Sequence, residues 1–578
     1  MRATDAVLPP ADELFGHPKG LVVCFFTEMW ERFSFYGMKA LLALYLIKHH
    51  GFTDSMSLAL IGAYGGLVYA TPMLGGLIAD RWLGVRRSVV LGGVLLALGH
   101  LGMSVEGAPA RVVGTAVERD TLALSVFYAS LALITAGVGF LKPNISNLVG
   151  KLYPDRDPRR DAGFTLFGAG INFGSLFASV ICGVLGETYG WRYGFGAAGI
   201  GMVAGLAVFI SGQKYLLGHA ESPDEARLKA RVFGPLTLEW AIYLGALLLL
   251  PILFLLMQAG HAVLGLQLGL IALWLGWLAW YLTARCTPAQ RGRMLACVCF
   301  IVITLLFFAL YEQGIGSWVL FTDRMLEKDF FPSLVIRDGL PLPWSAIPLI
   351  LSPLVVAAAL RARPGVRWPG RAIGALALLM VVLVIRDVVV LPQTASSLTF
   401  IGPLVSNLMA PFIAALWPWL ARRGRDPHLA VKGSLGLLFG GLAFIPMMLA
   451  AQQVGDPALG LVLASVWWLV LANLLIEIGS FLIYPVGLSA VTELSVPTVG
   501  GVMMGAYWLG TSFSEQVAAG LGQLAAIDPL PGETVDVAVA AGAYAALFQQ
   551  LLWLGVGCAL LSLLLVPAMR RWTHTPAV

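Results

Sequence analysis

The chain has 578 residues, of which 58% are hydrophobic and only 12% are charged, and its mean hydropathy is +0.83. Soluble domains are about 45–50% apolar and about 25% charged, so this composition predicts a membrane protein and excludes an ordinary soluble one. The net charge of +5 is attributed to basic cytoplasmic loops, and we expect the lipid bilayer, not nucleic acid, as a partner.

Apolar runs of bilayer-spanning length recur along the whole chain. They predict an all-α polytopic membrane protein with about sixteen spans. The predicted spans lie near residues 21–48, 57–80, 86–104, 122–149, 164–190, 194–213, 236–257, 262–284, 294–322, 344–361, 371–392, 398–420, 432–451, 458–490, 500–526 and 540–569.

The distribution of basic residues predicts the orientation of these spans. Most of the 37 Lys and Arg residues fall in segments that are cytoplasmic if the N-terminus is cytoplasmic, whereas the loop at 527–539 holds only acidic charges. Because Lys and Arg mark cytoplasmic loops, both termini are expected in the cytoplasm. The first twenty residues have no apolar core, so a cleaved signal peptide is not expected.

The first span carries an unusual set of polar residues. Glu28, Glu31, Arg32, Tyr36 and Lys39 follow one another at steps of three, one, four and three, which places them on one stripe of a helix. Charges within a span are costly, so the stripe should face a wet cavity or partner charges. The alternative is a charged helix end that lies among the lipid headgroups.

Three other spans each contain a charge that stands out, namely Lys142, Glu312 and Glu477. An ionisable residue inside a span usually faces the bundle interior, so these three are candidates for substrate or ion contacts. For Lys142 the alternative is that its long side chain extends to the interface.

The sequence contains no convincing motif of an enzyme or a metal site. Residues 194–199 spell GxGxxG, but they open an apolar span with no preceding strand, so they indicate close helix packing. HExxH and GxSxG do not occur, and the six cysteines form no CxxC pair. We therefore expect no enzymatic activity, no metal and no organic cofactor.

Two groups of motifs resemble a known family. Residues 75–87, GGLIADRWLGVRR, resemble the loop between the second and third helices of the major facilitator superfamily. Residues 28–37, EMWERFSFYG, resemble the ExxERFxYYG signature of its proton-coupled oligopeptide transporter (POT) family. Further motifs similar to this family lie at residues 67–72, 137–153, 164–178, 190–202, 311–324 and 484–494.

The resemblance implies a major facilitator fold: two six-helix halves around a central site, with the extra helix pair common in bacterial members. It also implies an integral protein of a bacterial inner membrane. The expected parts are a cytoplasmic tail at 1–20, an N-terminal half at 21–213, a linker with the helix pair at 214–293, a C-terminal half at 294–569 that includes an inserted hairpin at 330–395, and a cytoplasmic tail at 570–578.

The resemblance also assigns roles to individual residues. Glu28, Glu31 and Arg32 match the proton-handling group, and Lys39 matches a basic position that pairs with Glu312 across the halves. Protons are the expected coupling ion, and a small peptide is the expected substrate. The positions matching substrate contacts are Arg32 and Lys142, which would face the peptide carboxylate, and Tyr36, Tyr69 and Asn172, which would line the cavity.

Three positions depart from the family pattern. Gly168 stands where the family has Tyr, Gly402 where it has Asn, and Ser480 where it has Glu. In the family, the residues at the last two positions would hold the amino group of a peptide together with Asn172. Two of these three groups are therefore missing here. Glu477 lies three residues before Ser480, on roughly the same helix face, and could serve the amine in its place.

If Glu477 does serve the amine, it would also be the natural partner of Lys142 in the empty carrier. The alternative is that Glu477 only caps a packing contact or pairs with a helix neighbour.

The sequence therefore predicts a proton-coupled symporter that imports di- and tripeptides by alternating access. Because of the departures, a proton-coupled carrier of a related non-peptide or modified amino-acid solute remains as the alternative. A channel or a non-transporting receptor is a weaker one, and a membrane-embedded enzyme is the weakest.

The inserted segment holds two of the predicted spans, 344–361 and 371–392. Four arginines join them and favour a cytoplasmic loop between two full spans. Pro348 and Pro353 favour the alternative, a re-entrant or interfacial hairpin on the outer face. The four arginines are Arg361, Arg363, Arg367 and Arg371.

Overall fold

Long α-helices make up most of the chain in this computed structural model. The structure describes residues 13–328, 393–454, 462–528 and 536–573, apart from residues 15, 115, 155, 156, 158 and 217. A bilayer offers no water to exposed peptide groups, so long apolar segments satisfy their backbone hydrogen bonds as helices. The predicted spans at 344–361 and 371–392, and most of the inserted hairpin, lie outside the described residues.

The first part of the chain contains six long helices. Several begin at a side-chain cap: the Thr53 hydroxyl accepts the Met56 N–H, and the Asp120 carboxylate accepts the N–H groups of Leu122 and Ala123. The helices are α1 (Lys19–Lys48), α2 (Asp54–Ile78, continued by a π-helical turn at Ala79–Leu83), α3 (Val85–Met103), α4 (Thr121–Lys151), α5 (Arg160–Val184, continued by a π-helical turn at Leu185–Tyr189) and α6 (Trp191–Gly212).

A middle part joins these helices to the rest of the chain. It contains a 3₁₀ turn at Gln213–Tyr215, a short helix α7 (Glu225–Lys229) and a pair of long helices, α8 (Leu238–Gln258) and α9 (Gly260–Ala284). The most apolar windows of α8 and α9 are only 17% buried. Their exposed surfaces are rich in leucine, as expected for a helix pair that faces lipid.

In its described residues, the last part of the chain contains eight helices and several 3₁₀ turns. The helices are α10 (Pro288–Tyr311), α11 (Ser317–Met325), α12 (Ile401–Arg422), α13 (Leu429–Leu442), α14 (Phe444–Val454), α15 (Trp467–Leu494), α16 (Gly500–Gly522) and α17 (Val537–Thr573). The 3₁₀ turns are Glu312–Gly314, Ser397–Phe400, Pro497–Val499 and Gln523–Ala525.

Short strands pair near the helix ends. Among the residues that the structure describes, three pairs are antiparallel and one is parallel. They are β1 (Glu13–Leu14) with β2 (His17–Pro18), β3 (Arg111–Val113) with β4 (Ala116–Glu118), β5 (Arg231–Phe233) with β6 (Leu236–Thr237), and β7 (Leu326–Glu327) with β8 (Ala464–Ser465).

Within the described residues, 12 helical segments are long and apolar enough to cross a membrane. Two more long helices, α1 and α16, are too polar for that count: α1 carries the charged stripe, and α16 is rich in Gly, Ser and Thr and contains Glu515. Fourteen of the sixteen predicted spans therefore correspond to helical segments, although the total of sixteen is not established.

Two predicted spans are not single helices. The span at 294–322 is broken by the 3₁₀ turn Glu312–Gly314, because Gly314 and Gly316 follow Tyr311 and favour the end of a helix. The span at 432–451 is divided into α13 and α14 at Ala443. In both cases apolar sequence on each side of the break made the segment look like one span.

Helix packing brings distant parts of the chain together. Helix α1 packs against α5 and α6, and α10 packs against α15, α16 and α17. The first and last parts of the chain meet mainly where α2 packs on α16. Small residues allow close approach: a Cβ on Gly75 of α2 would lie 2.0 Å from the Gly139 carbonyl oxygen of α4.

Candidate functional site

The charged stripe of α1 is buried in the bundle and divides into two groups. The first consists of Glu28, Glu31 and Arg32 and is called the first triad. Arg32 Nε lies 3.1 Å from Glu28 Oε1 and 2.5 Å from Glu31 Oε2. Both carboxylates therefore contact one guanidinium, within a single helix and almost shielded from solvent.

Close packing holds the first triad in place. Gly174 of α5 lies against α1, where a Cβ would come within 2.3 Å of the Met29 carbonyl oxygen and 2.9 Å of Arg32 Cβ. The Arg32 guanidinium also lies 5.4 Å from the centre of the Phe35 ring. The predicted stripe is thus confirmed as an inward-facing surface, and the alternative of a helix end among headgroups is wrong.

The second group is called the second triad and consists of Lys39, Glu312 and Glu515. Lys39 Nζ donates to Glu312 Oε2 and to Glu515 Oε1, each at 2.9 Å. The contact between Lys39 and Glu312 agrees with the pairing that the family resemblance implied. Here three elements contribute one residue each: α1, the 3₁₀ turn after α10, and α16.

Glu515 was missed by the sequence analysis. It is a carboxylate inside the predicted span at 500–526, so the rule that selected Glu312 could also have selected it. Its position among Ser, Thr and Gln residues of α16 made the charge less conspicuous. No local pattern indicates that it reaches Lys39, which lies 476 residues away in sequence.

Aromatic side chains and one further cation lie between and beside the triads. Tyr36 has Arg32, Lys39 and Glu312 as charged neighbours. Lys142 Nζ lies 4.6 Å from the centre of the Tyr69 ring, and the first triad's carboxylates act on it at longer range. Lys142 therefore faces the site, so the interfacial alternative is wrong.

The open space of the site lies beside the first triad. Tyr484 of α15 has Tyr36, Arg32 and Glu28 as electrostatic neighbours, yet 43% of its surface is exposed. Gly168 of α5 also borders open space, since nothing lies within 4 Å of a Cβ added there. This space is the candidate position for a solute beside the charged stripe.

Glu477 lies in a different environment from the other carboxylates of the site. The Tyr311 hydroxyl donates to Glu477 Oε1 at 2.9 Å, and Ser406 lies near this carboxylate. A Cβ on Gly402 would lie 3.8 Å from the same oxygen. Glu477 is thus buried against neutral hydroxyl groups.

The expected pair of Lys142 with Glu477 is not formed, so this prediction is wrong for the conformation observed. The Tyr311 hydroxyl already donates to the Glu477 carboxylate, and the Lys142 ammonium lies 4.6 Å from the centre of the Tyr69 ring and 5.8 Å from that of the Trp508 ring. The partners of Glu477 come from other helices, α10 and α12, and not from its own.

The remaining predicted contacts are half-buried. Asn172 lies on α5, two residues before Gly174, and Ser480 lies on α15, one turn after Glu477. The structure gives neither side chain a contact with the two triads. Their assignment as substrate contacts stays a prediction.

Charged contacts close one end of the site, which we call the Lys48 end. Lys48 Nζ lies 2.6 Å from Asp323 Oδ1, and Arg324 donates two hydrogen bonds of 2.7 Å to the Asp54 carboxylate. The Glu187 carboxylate accepts the Ser396 N–H at 2.7 Å. Each of these contacts joins a residue of the range 19–212 to a residue beyond 288.

Among the described residues, four ion pairs join α1 and α2 to the last part of the chain: two in the second triad and two at the Lys48 end. The opposite end of the site lacks such pairs in the same described ranges. The described residues also contain no group of three or more His, Cys, Asp or Glu residues that could hold a metal ion. The site is therefore a set of buried charges that ion pairs close at one end.

Comparisons with known proteins agree with this architecture. The model of the POT family matches residues 86–337 and 393–530, which is more than half of the chain. The chain is 30% identical over 523 residues to the "uncharacterized transporter YclF" of Bacillus subtilis, with 88% of each chain covered. It is 29% identical over 527 residues to a di-/tripeptide transporter of Lactococcus lactis, with 87% of this chain and 89% of the relative covered.

A solved structure is similar along nearly the whole chain. It is the crystal structure of a peptide transporter POT in complex with sulfate, with a TM-score of 0.71 and 28% identity, and the match covers 97% of this chain and 96% of the other. The similarity thus includes the helices that carry both triads.

Proposed function

The chain belongs to the POT family of membrane transporters, and from this premise we propose that it is a proton-coupled symporter that imports di- and tripeptides by alternating access. The relatives are transporters and not enzymes, and a peptide as transported solute follows from the family. Coupling to protons and the length of the peptide are our own assignment.

The observation that carries this proposal is the arrangement of buried carboxylates around the α1 cations. Arg32 contacts two carboxylates, and so does Lys39. Even with Lys142, three cations face the four carboxylates of the two triads, and an unbalanced buried charge is costly. A proton or a substrate cation restores the balance, which is the requirement for linking proton binding to solute binding.

We assign proton handling to Glu28, Glu31, Arg32 and Glu312. The cations of the site would attract the peptide carboxylate, and the acidic groups on the opposite wall would attract its amine. The proposed substrate contacts are Arg32, Tyr36, Lys39, Tyr69, Lys142, Asn172, Glu312, Glu477 and Ser480.

The proposed orientation puts the Lys48 end outside and both termini in the cytoplasm of a bacterial inner membrane. This assignment agrees with the basic residues that follow α2, α9 and α12 at the other end of the helices. We also assign residues 21–213 and 294–569 to the two halves of a major facilitator fold. The observed conformation is then closed to the outside.

Competition in reconstituted vesicles tests the substrate class. Vesicles preloaded with unlabelled Ala-Ala take up labelled Ala-Ala by exchange, and protein-free vesicles give the background. We expect Ala-Ala and Ala-Ala-Ala to compete and free alanine not to compete. Competition by free or modified amino acids, without competition by peptides, would overturn the peptide assignment.

A further inference from the structure

The second triad contains one carboxylate more than an ion pair needs. The Lys39 side chain is 2% exposed, and those of Glu515 and Glu312 are 3% and 10% exposed. Both carboxylates lie 2.9 Å from the same ammonium nitrogen. A single positive charge is thus shared by two acids that are almost removed from water.

The packing around Glu515 leaves room for its side chain and holds it close to Glu312. A Cβ on Gly65 of α2 would lie 2.5 Å from the Glu515 carboxyl carbon and from Oε2, so only a glycine leaves room for this carboxylate. One turn further along α16, the Ala518 carbonyl accepts a hydrogen bond of 2.8 Å from Gln313. This bond fixes the turn that carries Glu312 onto the helix that carries Glu515.

The other groups that face Glu515 do not supply the missing positive charge. From α2, Tyr64 and Tyr69 are neutral phenols. From α4, Lys142 acts on Glu515 only at longer range and faces the Tyr69 ring and the first triad. In direct contact, the triad therefore contains two acids and one cation.

A buried group of this composition binds a proton more readily than it keeps a net negative charge. The two carboxylates then titrate as a pair, with the proton belonging to both. When water from the inside reaches Lys39 and the two acids, these groups become hydrated and no longer favour the shared proton. Closing and proton uptake are thus linked.

We propose that Glu515 gives this carrier a second proton site, in which Glu515 and Glu312 share one proton beside Lys39 from the closing of the Lys48 end until inside water reaches the triad. This inference rests on the proposed function as a proton-coupled symporter. The proton comes from outside water as the Lys48 end closes, binds a carboxylate oxygen, and leaves to inside water that reaches Glu312 before the Lys48 end reopens. Each cycle then moves one proton beyond that of the first triad.

The proton-to-peptide ratio tests this proposal. The protein is reconstituted in vesicles with the membrane potential held at zero and a pH difference of one unit, and the accumulation limit of labelled Ala-Ala is measured. Each coupled proton multiplies that limit about tenfold, so Glu515→Gln should lower it about tenfold. Ser514→Ala, which changes the neighbouring residue on α16, is the matched control and should keep the limit.

The outcomes separate the two levels of the account. If the parent protein does not accumulate Ala-Ala, the proposed function fails. If the parent accumulates it and Glu515→Gln reaches the same limit, the function stands and the second proton site is refuted.

A second measurement covers the case in which Glu515→Gln is folded but inactive. Spin labels at Leu122 and Val539, both highly exposed at the starts of α4 and α17, report the distance across the Lys48 end. The closed population of the parent should rise as the pH falls, and Glu515→Gln should flatten that dependence. An unchanged pH dependence in the variant would also refute the proposal.

Discussion

Each triad contains two carboxylates and one cation, but the triads differ in which parts of the chain they join. The first lies within five residues of one helix, so any rigid movement of α1 carries all three groups along. The second joins residues 273 and 476 positions apart in sequence, and it breaks if α1 moves away from α10 or α16. The first triad can therefore respond only to protonation and ligands, whereas the second also responds to the relative position of the two parts.

This difference assigns separate tasks to similar chemistry. A proton on the first triad changes how strongly Arg32 is neutralised and hence how it attracts a substrate carboxylate. A proton on the second triad changes the free energy of closing the Lys48 end, because the triad joins α1 to the last part of the chain in the closed conformation. Variants of the two triads should fail in different ways.

The largest effect is expected for Glu31→Gln in the first triad. The variant should lose uphill uptake driven by a pH gradient, because peptide that crosses without a proton on the first triad dissipates the accumulation that the second triad could drive. It should retain some exchange of labelled for unlabelled peptide, since exchange needs no net proton movement. Uptake and exchange measured in the same vesicles check this. Unimpaired concentrative uptake would move the coupling site to the second triad.

The next effect concerns Lys39→Gln in the second triad. It leaves two buried carboxylates without a cation, and loss of one partner from a buried ion pair costs about 3–5 kcal/mol. We expect exchange at pH 7.5 to fall by on the order of 100-fold and to recover in part at pH 5.5. The direction follows because acid protonates both carboxylates and removes the repulsion.

The double variant Lys39→Gln with Glu515→Gln serves as a control for Lys39→Gln. It removes the cation and one acid together, so it should be less impaired than Lys39→Gln alone at pH 7.5. If exchange by Lys39→Gln did not depend on pH, or if the double variant were the worse of the two, the charge balance of the second triad would not explain its role.

A smaller and more selective effect is expected at Glu477, which belongs to neither triad. Glu477→Gln should weaken binding of dipeptides with a free amine by about 1.5–3 kcal/mol, the range for a hydrogen bond to a charged group. N-acetylated dipeptides should bind almost as before. Tyr311→Phe keeps the carboxylate and removes its hydroxyl partner, so it is the matched control and should preserve this preference.

Competition binding with both ligand types measures the Glu477 effect. Equal losses for free and acetylated dipeptides would mean that Glu477 does not contact the amine. That result would favour a carrier of a non-peptide solute, because Gly402 and Ser480 lack the groups that the family pattern has there.

The smallest effect is expected at the solvent-exposed pair of the Lys48 end. The Lys48 side chain is 42% exposed, and exposed ion pairs contribute about 0–1 kcal/mol. Lys48→Ala should therefore shift the closed population, measured between the two spin labels, by less than about fivefold. A shift as large as that of Lys39→Gln would mean that this end, and not the second triad, controls closing.

The sequence was sufficient for most of the fold because apolar runs and basic loops impose the helices and their order. The stripe on α1 was also predictable, since its residues repeat at helical spacing. The break at Glu312–Gly314 was harder to see, because apolar sequence lies on both sides of it and the whole segment has the length of one span. Helix boundaries there depend on glycines and on the Gln313 contact with α16.

Contacts between distant helices could not be derived from local patterns. Lys39 and Glu312 were paired only through the family resemblance, and Glu515 was overlooked although its charge was visible. The expected pair of Lys142 and Glu477 was wrong because opposite charge alone was considered. In the folded chain, neutral partners close to each residue satisfy both groups first.

The most direct test of the account is whether a proton gradient drives peptide accumulation. Vesicles containing the parent protein, acidic outside and with the membrane potential held at zero, are given labelled Ala-Ala at equal concentrations on both sides. We predict that the label concentrates inside and that a protonophore abolishes the accumulation. Label that stays at equal concentrations with and without the protonophore, in vesicles that still exchange Ala-Ala, would contradict the central claim.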